Sequence, residues 1–143
     1  MSTEQNKALL LRIFEEGVNQ NNPSVFDELI APDCKFYDPP LGMQPSREGF
    51  RQILAKFREA FPDMRLTIED EFADGDTVIQ RGYFTGTHTG EYNGIPPTGK
   101  KVKMNAIHIW RFANGKAVEN WVQIDQLSLM QQLGVIPQPS HAH

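Results

Sequence analysis

The run IHIWRFANGKAVENW, from Ile107 to Trp121, constrains the fold more than any other part of the chain. Asn114-Gly115 at its centre is the strongest hairpin signal present. A tight two-residue turn needs positive φ at both positions, and Asn followed by Gly meets that need at least cost. Apolar and polar residues alternate on both sides of the turn. The pattern predicts two antiparallel strands, 100–112 and 116–124.

Period-two bookkeeping then sorts the side chains by face. Along the first strand the even positions are Val102, Met104, Ala106, His108, Trp110 and Phe112, against Lys103, Asn105, Ile107, Ile109 and Arg111 on the odd side. The even face is the more apolar and is the better interior, with His108 as its one titratable group. In the returning strand the even set is Val118, Asn120, Val122 and Ile124. The hairpin can bring His108 near Asn120 or Val122, and the register between them stays open.

Upstream, Met64, Leu66 and Ile68 alternate, Asp74-Gly75-Asp76 makes a turn, and 78–87 reads as another strand. A Gly/Pro-rich loop spans 88–99. The first half carries helix signals instead. Ser2-x-x-Gln5 forms a capping box ahead of Leu10, Ile13, Phe14, Gly17 and Val18 at helical spacing. Asn22-Pro23 opens a second helix with Val25, Phe26, Leu29 and Ile30 as its stripe. After the strand CKFYD and the loop PPLGMQP, Ser46 caps a third helix bearing Phe50, Ile53, Leu54, Phe57 and Phe61, which Pro62 ends. A last helix over 126–133 stops at Gly134.

Helices first and meandering strands afterwards predict an α+β fold. The expected form is a cone-shaped curved antiparallel sheet packed against three N-terminal helices, with a short C-terminal helix. Residues 1–137 are expected to make a single domain and 138–143 a flexible tail holding His141 and His143. A curled sheet closed by helices leaves a concave cavity suited to a hydrophobic small molecule.

Composition removes several function classes. The 14 Lys and Arg against 18 Asp and Glu give a net charge of −4, which argues against nucleic acid, since phosphate binding needs clustered cations. Lys100, Lys101 and Lys103 form the only basic cluster, read as a solvated strand end or an anion contact. No apolar run is long enough for a membrane span, and the N-terminus lacks the layout of a signal peptide. The lone Cys34 excludes an intrachain disulfide and fits a reducing, cytoplasmic interior. Four His without ligand spacing predict no metal site, and the absent nucleotide and nucleophile motifs predict no cofactor.

Each candidate residue carries two readings. His108 is a hydrogen-bonded core histidine or a group that polarises a carbonyl and moves a proton. His88, at a strand end, is a turn residue or a ligand contact. Arg81 reads as a salt-bridge partner. Trp110, Trp121, Tyr37, Phe61 and Tyr92 are core or line an aromatic pocket. Asp125, at the strand-to-helix junction, is an N-cap or an acid/base at the lip of the pocket.

The segments AFPDM, GTHTGEYNGIPPTGKKV, IHIWRFANGKAVENW and Trp121-x-x-x-Asp125 followed by QQLG together resemble the SnoaL-like polyketide and ester cyclases, within the nuclear-transport-factor-2-like superfamily. The resemblance implies a cofactor-free homodimer, formed through the sheet, with a ligand pocket inside the cone. It also implies aldol-type cyclisation, in which an aspartate removes a proton next to a carbonyl. Members often carry His-Trp-Asp after the Glu of the last strand, where this chain has Asn120-Trp121-Val122. The pocket Asp position therefore falls on Val122, leaving His108, Asp125 and Asn120 as the catalytic candidates. Trp110, Trp121, Tyr37, His88, Phe61 and Val122 are the expected substrate contacts. Two alternatives are an epoxide-hydrolase-like enzyme and a non-catalytic small-molecule-binding protein, the second favoured by Val122.

Overall fold

A computed structural model describes residues 2–40 and 42–137. The proposed tail, with His141 and His143, lies outside the described residues. The first helix, α1 (Thr3–Arg12), starts on the expected capping box: the Ser2 side chain accepts from the Gln5 N–H, and the Gln5 side chain accepts from the Ser2 N–H. It widens into a π-helical stretch, Ile13–Asn19. That stretch carries Phe14 onto the sheet, and Asn19 fastens its end to a strand by exchanging two hydrogen bonds with the Leu66 backbone. Helix α2 (Ser24–Leu29) begins one residue later than the Asn-Pro signal suggests, with Pro23 as N-cap. Helix α3 (Arg47–Ala60) is capped by Ser46, whose hydroxyl accepts from the Gly49 N–H.

Five strands follow the order β1-β5-β4-β3-β2 in one sheet. They are β1 (Ile30–Tyr37), β2 (Arg65–Asp74), β3 (Thr77–Thr87), β4 (Lys101–Ala113) and β5 (Lys116–Ile124). The meander from β2 to β5 is antiparallel as expected, while β1 joins the edge of β5 in parallel. Strand β1 is longer than CKFYD and starts at Ile30, which leaves the helical stripe to open the strand. Asn114 and Gly115 both take positive φ, 51° and 79°, as a hairpin of this kind requires. Helix α4 (Gln126–Gln132) closes the chain against β4.

The even face of β4 is the inner one, and the hydrophobic core forms between it and the helices. Trp110 is wholly buried, with Phe14, Phe36 and Phe50 edge-on around it at centroid distances of 6.1, 6.0 and 5.7 Å. Burying side chains of this size contributes roughly 1.5–3 kcal/mol each. One irregularity matters for the site. A bulge between Ile68 and Asp70 adds a residue to β2 opposite β3. Face parity in β2 therefore reverses: Leu66 pairs with Phe84 and Ile68 with Gly82 on the inner face, but beyond the bulge the inner residues are Glu71 and Ala73. Phe72 consequently points outward and is 62% exposed. Gly82 faces the bulge because a Cβ there would lie 2.0 Å from the Thr67 carbonyl oxygen.

Candidate functional site

The concave face of the sheet and the helices above it enclose a cavity of about 80 Å³. Phe14 and the stripe Phe50, Ile53, Leu54 and Phe57 wall it from the helix side, and Phe84, Met104, Ala106, Val122 and Ile124 from the sheet. Met43, Met64 and Met104 add flexible thioethers that can adapt to a guest. Among the described residues, His108 and Asn120 are the polar members of the lining, and His108 is the one that can titrate. None of these residues is a carboxylate.

The sheet register shows why these two line the same cavity from neighbouring rows. Residues paired across neighbouring strands on one face have Cβ atoms about 4.5–5.5 Å apart. Gln80, His108 and Val122 lie in one such row, and Val78, Trp110 and Asn120 in the next. His108 packs against Phe14 at 5.0 Å between ring centroids. Its ring lines the cavity, and burial holds its pKa down to about 4, so the imidazole is neutral near pH 7. Asn120 is 2% exposed and donates from Nδ2 to the Ile109 carbonyl at 3.3 Å.

Asp125 stands apart from this group. Its carboxylate accepts from the Ser128 N–H at 3.1 Å and caps α4, while its own N–H donates to the Asn105 carbonyl at 2.9 Å. It borders a shallow groove on the other side of the sheet, with Arg81, Asn105 and Gln123. Of its two readings, the cap is the one the geometry shows.

The expected aromatic contacts also divide. Trp110 lies beneath the cavity in the core. Tyr37 and Trp121 occupy the outer face, stacked at 4.9 Å. There the Tyr37 hydroxyl donates to Glu119 at 2.9 Å, and Glu119 accepts from Arg111 at 2.6 Å. The bond to Glu119 raises the Tyr37 pKa. Phe61 and Tyr92 pack with Phe57 under the 88–99 loop. His88 belongs to the same layer and is wholly buried. Its Nδ1 accepts from the Thr98 N–H at 3.2 Å and lies 2.9 Å from the Thr98 hydroxyl, which ties the loop's two ends together. Arg81 pairs with Asp70 and Glu69, the ion-pair role expected of it. Sequence parity found the sheet-side polar pair, whereas the helix-side walls were legible only as amphipathic stripes. Among the described residues, no three His, Cys, Asp or Glu side chains converge as a metal site would require.

Comparison with known proteins gives this geometry its context. The family model for SnoaL-like polyketide cyclase matches residues 8–133. The chain is 30% identical to AclR of Streptomyces galilaeus, described as a proposed hydroxylase. That match covers 97% of this chain and 87% of AclR, with a TM-score of 0.86. It is 31% identical to IdmH of Streptomyces antibioticus, described as a proposed polyketide cyclase, over 91% of this chain and 99% of that one, with a TM-score of 0.80. A SnoaL-like protein of Jannaschia sp. CCS1 is 26% identical over 94% and 95% of the two chains, with a TM-score of 0.81. No curated protein matches by sequence.

Proposed function

The chain belongs to the SnoaL-like polyketide cyclase family, and from that premise we propose that its cavity takes a hydrophobic carbonyl compound on which His108 carries the proton of an aldol-type cyclisation. The observation behind this reading is the lining: an apolar wall interrupted by one neutral imidazole and one amide. In the proposed step His108 takes a proton from the carbon beside a carbonyl. The enolate oxygen accepts a hydrogen bond from the Asn120 amide, and the enolate carbon attacks a second carbonyl of the same molecule. The imidazolium then returns its proton to the new alkoxide.

The low basicity of His108 restricts the substrate. A weak base is better matched to the more acidic C–H between two carbonyls than to that of a simple ketone. The class proposed is therefore a polyketide-like 1,3-dicarbonyl. Homodimerisation through the outer face of the sheet, in a cytoplasmic setting, completes the proposal. Ile79, Ile107 and Trp121 on that face supply apolar area for it.

A second reading, a binding protein without turnover, is favoured by Val122, which pairs directly with His108 where a carboxylate would otherwise face the ring. Proton exchange separates the two. With an aromatic 1,3-diketone in D₂O, the protein should accelerate exchange at the central carbon, and His108→Leu should bind within a few-fold but exchange at the background rate. Binding without accelerated exchange in the unmodified protein would leave the binding reading.

A further inference from the structure

One polar line on the inner face is not used by the proposed chemistry. Because the bulge in β2 reverses parity, Glu71 pairs with Gln80, Gln80 pairs with His108, and His108 with Val122, all on the same face. Gln80 is wholly buried, and its Nε2 donates to a Glu71 carboxylate oxygen at 2.7 Å. Its Oε1 is buried without a partner. Behind it lies β2, and ahead of it on the row is the ring of His108.

A carboxylate only accepts hydrogen bonds, so Glu71 fixes which way the Gln80 amide turns: the NH₂ toward Glu71, the oxygen away. A buried carbonyl oxygen without a donor is unfavourable, and the next group on the row that can supply an N–H is the imidazole. We infer that Glu71 and Gln80 position His108, with the Gln80 oxygen accepting from the ring N–H on its side so that the other nitrogen turns its lone pair toward the cavity. Glu71 and Gln80 do not touch the ligand in this arrangement and act through the ring. A neutral histidine otherwise divides between two tautomers, one offering the cavity a donor and the other a base. The row selects the base. The inference deepens the proton-transfer reading of His108 and rests on it only for what that lone pair would do.

Two-bond ¹H–¹⁵N correlation spectra of the full-length protein test this without any ligand, the His108 signals being assigned by their loss in His108→Leu. In the unmodified protein a single neutral tautomer of His108 should dominate near pH 7. Gln80→Met, which keeps the volume but removes the acceptor, should convert it to a mixture. Glu71→Gln should do so as well, because an amide at 71 no longer dictates the turn of Gln80; this residue is half-exposed, so the variant keeps the test open should Gln80→Met not fold. Glu71→Asp should retain one tautomer. A mixture in the unmodified protein, or one tautomer unchanged in Glu71→Gln, would overturn the inference. Failure of diketone exchange with the single tautomer intact would count against the proton-transfer reading alone.

Discussion

The two faces of this sheet are made from alternate residues of the same strands, yet their chemistry is opposite. Outside, charges find each other: Arg111 with Glu119, Arg81 with Asp70, and Lys103 over the Tyr83 ring at 4.2 Å. Inside, across β2 to β5, the rows run through Val78, Phe84, Met104, Trp110 and Val122, and the ionisable members of these rows are His108 and, beyond the bulge, Glu71. On the wet face a carboxylate keeps its hydration and stays ionised at little cost. On the dry face the charged form of a group is penalised, so the inner histidine stays neutral. The face a residue occupies, more than its type, decides whether it can act on a ligand.

The two tryptophans give the sharpest test of that contrast. Trp110 is wholly buried among three phenylalanine rings, whereas Trp121 lies on the outer face against Tyr37 and Arg111. Trp110→Ala should cost about 3–5 kcal/mol in urea unfolding, since the neighbouring rings cannot close the space left behind. Trp121→Ala should cost about 1 kcal/mol or less, because much of its partner surface is solvent. Equal losses for the two would erase the distinction between the faces.

Parity is also what made the sheet legible from sequence. The apolar alternation of β4 sets its inner face, with His108 on it, whereas counting across Asn114-Gly115 would pair Trp110 with Glu119; a bulge between Ala117 and Glu119 is what brings Asn120 and Val122 to the inner face of β5. The count fails again in β2, where one extra residue sends Phe72 outward and Glu71 inward, and no local composition marks a bulge. Strand β1 was underestimated for a different reason: Ile30 and Ala31 suit a helix end as well as a strand, and only pairing with β5 decides between them. The cavity walls contributed by α3 and by Phe14 depend on how helices lie across the sheet, a long-range matter that periodicity does not encode. The chemistry of Trp121 and Tyr37 suits a pocket, but the odd parity of Trp121 places it on the outer face, stacked on Tyr37.

A smaller effect follows from His108. Its pKa is held at about 4 in the folded protein, against an ordinary value of 6.5. Between those values the unfolded chain binds a proton that the folded one does not, so stability is complete above pH 6.5 and falls as the pH drops toward 4. That difference is worth up to about 3 kcal/mol. Urea midpoints measured from pH 7.5 down to 4 should show this loss, and His108→Leu should flatten that part of the curve. A variant with the same slope as the unmodified protein would mean that the ring is solvated and the inner face wetter than its lining indicates.

The smallest effect belongs to Asp125, which lies where the two faces meet at the end of β5. As an N-cap it satisfies the Ser128 N–H and places a negative charge at the positive end of α4. Asp125→Ala should therefore cost about 1 kcal/mol of stability, and Asp125→Asn much less, because an asparagine side chain accepts the same hydrogen bond. Diketone exchange should be unchanged in both, since the carboxylate is outside the cavity and no proton passes through it. The informative variant is Asp125→Asn, which removes the charge and keeps the cap. If exchange fell with it while the melting temperature held, the carboxylate would have to reach the ligand in some closed form of the protein, and the boundary between the faces would lie one residue further along the chain.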